Sequence, residues 1–250
     1  MQILRAQNVA EIKAFVEKSI GSIVLYTTAQ IDDLNLEKIR VFVDCDGVNN
    51  IQITKTAISL KAFVLACSYG TDAVTSFPPV VNGDDFKTVV VLELAENGAL
   101  KLGANAKLRI ELSELDLGEV YVIDGIEEPY EVDAPFMFED KRILADTKVI
   151  DIKTHNFDLC VIQNTDVITE VEYLYANGRK CTYTPRELKA LSQDIDPIAY
   201  VQNNGKTQSG FTGMLQLPLM HVEEITIKKV PGTSIDLLFR EDLTIDENAN

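Results

Sequence analysis

The residues with the clearest potential for chemistry form the stretch Asp44-Cys45-Asp46-Gly47-Val48-Asn49-Asn50. Oxygen-bearing side chains at alternate positions are what a hard cation such as calcium takes as ligands. The calcium-loop pattern, however, sets its glycine at the sixth position and a glutamate at the twelfth. Counted from Asp44, the glycine comes fourth and Lys55 stands twelfth. The same residues also satisfy a plainer rule, since Asp-Gly behind the apolar-alternating run that ends in Val41-Phe42-Val43 makes a hairpin turn. Adjacent carboxylates recur at Asp32-Asp33, Asp84-Asp85, Glu127-Glu128 and Glu223-Glu224. Two carboxyls facing each other across a cleft could work as the acid and base of glycoside hydrolysis. With 39 acidic residues in 250, such pairs arise without purpose and read as a solvated face. Tyr130, Tyr173, Tyr175 and Tyr183 could offer stacking platforms in a chain with no Trp, although tyrosines on strands usually pack across the sheet.

Other catalytic signatures fail on spacing. His155 and His221 are the two histidines, and neither has a Ser or Cys at a motif-like distance. Gly205-Lys206-Thr207 lacks the upstream glycine of a phosphate-cradling loop, because Ala199-Tyr200 occupies that place. Gly210-Phe211-Thr212-Gly213 has no serine for a nucleophile elbow. Cys45, Cys67, Cys160 and Cys181 are too scattered for a zinc site or a disulfide framework and read as reduced thiols in strands or core. The checklist of nucleophile, base and oxyanion donors cannot be filled. The sequence therefore assigns no catalytic, cofactor-binding or metal site, and the expectation is a protein that is not an enzyme.

Charge narrows the class further. Lys and Arg number 23 against 39 Asp and Glu, for a net charge of -16. Nucleic-acid binding depends on basic side chains displacing counterions from phosphates, so direct binding of nucleic acid is not expected. The N-terminus lacks the blocks of a secretory signal, and no apolar run approaches the roughly 20 residues that span a bilayer. Synthesis and folding in a reducing cytoplasm are expected.

The elements that must position these residues are mostly strands. Residues 1–20 carry Ile3, Leu4, Val9, Ile12, Phe15 and Val16 in a rough amphipathic stripe, which predicts an N-terminal helix. From Ser22 onward, short runs rich in β-branched and aromatic residues follow one another between turn residues, the pattern of sandwiches and barrels. Helical patches interrupt them near Lys55–Ser68 and Pro185–Gln193. An internal repeat is present. The segment 39–63 and the segment 171–191 each read as strand, Xaa-Gly turn (Asp46-Gly47, Asn177-Gly178), short strand, threonine (Thr54, Thr184) and helix. Ile58 and Leu188 both lie four residues after the threonine, which predicts an N-cap followed by the first core-facing helical residue. The glycines are 131 residues apart and the threonines 130. Because the second copy has no carboxylate at its turn, the shared requirement is a positive φ, and the turn reading of Asp44–Asn50 prevails. The expected organisation is all-β: an N-terminal helix over 1–20, a first domain over 21–145 and a second over 146–250.

In its order of strand, Asp/Asn-Gly turn, threonine and helix, carried by Ile39–Gly47 with Thr54–Leu60 and by Val171–Gly178 with Thr184–Leu191, the chain resembles the double jelly-roll major capsid proteins of tailless icosahedral bacteriophages with an internal membrane, the corticovirus-like group. The resemblance implies two tandem jelly-roll barrels standing upright and a homotrimer that acts as a pseudo-hexagonal tile. It implies as partners neighbouring capsomers, minor capsid or penton proteins, and for the N-terminal stripe either the viral membrane or a neighbouring subunit; packing on its own barrel is the plain alternative. It places the protein in the virion, with cations at Asp44 and Asp46 as one means of offsetting repulsion between acidic subunits. The competing reading is a single-copy β-sandwich binding module, such as a phage spike or a carbohydrate-binding surface protein.

Overall fold

The computed structural model describes residues 1–45, 51–69, 75–76, 80–81, 84–96, 98–154, 156–163, 165–195, 199–201, 207–209 and 213–242. The first lobe is built from β1 (Gln2–Gln7), β2 (Ile12–Val16), β3 (Ser22–Thr27), β4 (Lys38–Cys45), β5 (Ile58–Ser59), helix α1 (Leu60–Cys67), β6 (Thr88–Glu93), β7 (Ala106–Ser113) and β8 (Val120–Ile126). The second repeats the plan with β9 (Met137–Ile143), β10 (Val149–Lys153), β11 (Phe157–Ile162), β12 (Ile168–Tyr175), β13 (Lys180–Tyr183), helix α2 (Pro185–Ile195), β14 (Leu215–Pro218), β15 (Val222–Lys229) and β16 (Ile235–Glu241).

The first lobe pairs its strands as β1-β8-β3-β6 and β2-β7-β4-β5, and the second as β9-β16-β11-β14 and β10-β15-β12-β13. Adding eight to every strand of the first lobe gives the second. Each lobe is an eight-stranded jelly roll, two antiparallel four-stranded sheets face to face. Beyond β6 the first sheet is extended by the short strands Thr75–Ser76, Ala199–Val201 and Thr207–Ser209, of which Thr75–Ser76 and Ala199–Val201 run parallel.

Alternation decides which face goes inward. In β7, Ala106, Leu108, Ile110 and Leu112 are buried while Lys107, Arg109 and Glu111 face out. The sheet β9-β16-β11-β14 departs from this rule, because both of its faces are covered. Cys160, Ile162, Leu237 and Phe239 line the core of the second lobe. Phe138, Leu159, Val161 and Leu238 face the other way and join the core of the first lobe. What covers them is α1. All eight of its residues are buried, the condition of a helix apolar all round. Phe63 of α1 meets Phe138 of β9 edge to face, with ring centroids 4.9 Å apart.

Four expectations need correction. Residues 1–20 hold no helix: Gln2–Gln7 and Ile12–Val16 are strands of the two sheets of the first lobe. Over runs of five or six residues, periods of 2 and 3.6 fit the same apolar positions, and the waiting partners β8 and β7 decide for strand. Asn8, at φ 56°, turns the chain between them. The division at 145/146 cuts behind β9, which pairs along its length with β16 and so belongs to the second lobe; its sequence Met-Phe-Glu-Asp-Lys-Arg-Ile resembles a charged loop. Thr54 is not a cap, since its buried Oγ1 accepts from the Val41 N–H at 3.0 Å. The cap of α1 is Ser59, whose Oγ accepts from the Ala62 N–H at 3.3 Å, and Ile58 lies in strand β5.

The second copy behaves as expected. Glu187 accepts the Thr184 N–H at 2.7 Å and Thr184 Oγ1 faces the Glu187 N–H at 3.4 Å, a capping box. Leu188 is buried. Gly178 has φ +78° and its N–H reaches Tyr175 O at 2.8 Å, which is the turn the sequence required. Its counterpart, Asp46-Gly47, lies outside the described residues.

If α1 ties the lobes together, Phe63→Ala should cost about 3–5 kcal/mol and lower a single calorimetric transition. Two separated transitions in the wild type, with only one displaced by the substitution, would contradict a shared core.

Candidate functional site

The most elaborate polar construction among the described residues lies at the seam between the lobes. Asp158 in β11 and Arg240 in β16 sit on neighbouring strands, each side chain 6% exposed. The Arg240 Nε donates to Asp158 Oδ1 at 3.1 Å and Oδ2 at 3.0 Å, and Nη2 donates to Oδ2 as well. Nη1 crosses the seam to donate to Ala66 O at 2.8 Å, near the C-terminal end of α1. There the cation meets the negative end of the helix dipole and a carbonyl the helix itself leaves free. The guanidinium also lies 5.1 Å from the Tyr69 ring centroid and 4.6 Å from that of Phe136. A buried ion pair repays its desolvation only when its remaining hydrogen-bonding groups are also met, and here the helix end meets them.

Beside it opens a cavity of about 470 Å³ lined by Tyr69, Glu93, Glu96, Glu128, Arg240 and Asp242, among others. Burial raises the carboxyl of Glu93 above its ordinary value, with Arg240 opposing and Glu128 and Glu96 adding to the rise. No group of His, Cys, Asp and Glu among the described residues is arranged to hold a metal ion.

The residues singled out by sequence do not converge. Asp44 lies on β4 in register with Lys107, and Asp46 lies outside the described residues. Asp32, on a short helical turn, holds Lys61 of α1: Nζ donates to its backbone O at 3.2 Å and lies 3.5 Å from Oδ1. Glu127 pairs with Lys18 at 2.7 Å on the surface and Glu224 with Lys153 at 2.5 Å. Glu223 and Glu224 are successive strand residues and so point to opposite faces. Asp84-Asp85 forms a short strand. Tyr173 packs edge to face on Tyr175 and Tyr183, at 5.9 and 5.3 Å, and burial with the Tyr183 hydrogen bond pushes Tyr175 up to about 12. Tyr130 is 75% exposed. His221 sits in a turn at φ 62°, its carbonyl accepting from Ala176 N–H at 3.0 Å, while His155 lies outside the described residues. None of the four cysteines forms a disulfide, and burial pushes the thiols of Cys67 and Cys160 far up, away from reactivity. No described helix is long and apolar enough to cross a membrane. Sequence reasoning missed Arg240 and Asp158, which are 82 residues apart and carry no spacing signal.

Neither known protein families nor curated protein sequences yield a match to this chain. Solved structures do. The chain is similar to the major capsid protein P2 from Bacteriophage PM2, at a TM-score of 0.54 and 10% identity, over 96% of this chain and 93% of that one. It is similar to the STIV MCP at a TM-score of 0.57 and 11% identity, over 100% and 97%. A chain of the atomic structure of Sulfolobus Turreted Icosahedral Virus gives 0.59 and 10%, over 97% and 90%. The fold is therefore the tandem jelly roll of viral major capsid proteins, shared over nearly the whole chain.

Replacing Arg240 with Leu should cost about 3–5 kcal/mol in chemical denaturation, because Asp158 would be left buried and unpaired. Asp158→Leu/Arg240→Leu should recover much of that loss; a double variant worse than the single would mean that the helix-capping bond carries the effect. For Glu93, a raised folded pKa means the native state holds its proton to higher pH than the unfolded chain does. Stability should therefore fall as pH rises above 4.5 through the raised value. Glu93→Gln should flatten that fall and raise Tm at neutral pH, as followed by thermal melts across pH.

Proposed function

We propose that this chain is the major capsid protein of a tailless icosahedral virus, a structural and non-enzymatic protein of the virion. Three copies, each contributing two jelly rolls, form a pseudo-hexagonal tile of a shell over an internal membrane. The observation that carries this reading is the duplication itself, two lobes with the same strand order fused around one helix, over the length shared with capsid proteins. Doubling the barrel lets a three-fold assembly present six similar lobes to its neighbours, and such a tile fills a lattice position of six-fold outline. Its partners are other copies of the tile and the minor capsid or penton proteins that close the shell, and its place of synthesis is the host cytoplasm. The acidic surface, at -16, suits a layer that makes no direct contact with nucleic acid. The stacked tyrosines of the second lobe, with Tyr173 buried and Tyr175 and Tyr183 half-buried, speak against a glycan platform, the mark of the binding-module alternative.

Sedimentation at tens of micromolar should show a species three times the 27.8 kDa chain, and negative-stain micrographs should show blocks of three-fold symmetry and hexagonal outline. A monomer at every concentration would overturn the proposal.

A further inference from the structure

The duplication supplies an internal control, because equivalent positions of the two lobes can be compared. Each jelly roll has an opening where the edge strands of its two sheets run past each other, at β1 and β2 in the first lobe and at β9 and β10 in the second. In the first lobe apolar side chains fill it. Leu4 and Ala6 of β1 are buried, and Ile12 and Ala14 of β2 pack on the same core. In the second lobe β9 turns Glu139 and Lys141 to the same side as buried Ile143, in register with the core residues Phe239 and Leu237. The first lobe shows that the fold itself asks for no charge there.

Between β9 and β10 lies a groove of about 410 Å³, within the roughly 300–1,000 Å³ of small-molecule sites. Ile143, Ile150, Ile152 and Leu237 form its floor, and all four belong to or pack on the core of the second lobe. Its rim carries Lys141, Arg142 and Lys153 against Asp151, a cationic spot on a chain of net charge -16. Two of these cations are engaged by partners of their own. Lys153 lies 2.5 Å from Glu224, and Arg142 donates to Ser234 Oγ at 2.8 Å and lies 3.6 Å from Asp236. Lys141 is held differently. Its Nζ sits over the rings of Phe157 and Phe239, 5.3 and 5.0 Å from their centroids, and 3.4 Å from Glu139. Lys55 already holds that carboxylate at 2.5 Å. A half-buried ammonium, resting on aromatic rings and sharing its carboxylate, is left at the edge of an apolar groove.

We propose that this groove binds a single-chain amphiphile with an anionic head, a fatty-acid carboxylate, with its chain on Ile143, Ile150, Ile152 and Leu237 and its head on Lys141. The floor selects an alkyl chain, since every CH2 removed from water favours binding. The charge selects the head: a carboxylate makes a charge-assisted hydrogen bond with the ammonium, whereas a neutral head gains less and a cationic one is repelled. A slot between two strand edges takes one chain, which favours a free acid over a two-chained bilayer lipid. The site lies within one lobe and requires no assembly.

Isothermal titration of the full-length chain with octanoate, decanoate and dodecanoate, each below its micelle-forming concentration, tests the site. One acid should bind per chain, with affinity rising by up to about fourfold per added CH2. Dodecylammonium should bind at least about tenfold more weakly than dodecanoate. Lys141→Gln should remove that preference while leaving the binding of dodecanol unchanged. Ile150→Trp should block all three ligands by filling the groove, with circular dichroism to confirm that each variant is folded. If Ile150→Trp fails to fold, the chain-length series and the head-group comparison on the wild type decide. No rise with chain length, equal binding of dodecylammonium and dodecanoate, or a preference that survives Lys141→Gln would overturn the proposal. Uptake onto vesicles of phosphatidylglycerol without binding of dodecanoate would overturn it too, because a membrane surface would then be what the protein recognises.

Discussion

The apolar outer face of the second lobe needs a cover, and α1 supplies it. Phe138, Leu159, Val161 and Leu238 cannot face water at reasonable cost, and a helix buried along its whole length cannot exist without walls on both sides. Each therefore requires the other. The core of the first lobe runs without interruption through α1 into the second lobe, so the two jelly rolls act as one packed body at this seam.

Arg240 and Asp158 give that apolar contact its orientation. Dispersion and area burial are nearly indifferent to a sliding helix, whereas a hydrogen bond from Nη1 to Ala66 O is not. The guanidinium is held on one edge by Asp158 and on its faces by Tyr69 and Phe136, so its last direction is fixed on the helix end. Lys61 at the other end of α1, bonded to Asp32, does the same from within the first lobe. A helix pinned at both termini fixes the angle between lobes.

Elsewhere the charges are of a different kind. The exposed face of β10-β15-β12-β13 carries a ladder in which Lys153 meets Glu224, Lys180 meets Glu172 and Lys228 meets Glu170. Such solvated pairs add little stability each. They keep a broad sheet face polar.

Much of this was legible in the sequence. Alternation in β7 and β15, the Asn177-Gly178 turn, the capping box at Thr184 and the tandem repeat all follow from local rules, because strand periodicity and positive φ are demands that a few neighbouring residues satisfy by themselves. The N-terminal strands, β9 and the cap of α1 were not legible, since short amphipathic or charged segments take the conformation their partners impose. The seam was least legible of all: Asp158, Arg240 and Ala66 are brought together by three different elements, and no spacing along the chain encodes a contact that only the docking of one lobe on the other creates. The sequence by itself determined the all-β character and the duplication. The tertiary structure alone decided which helix is buried, which is left bare and how the lobes are locked, because burial depends on what arrives from elsewhere in the chain.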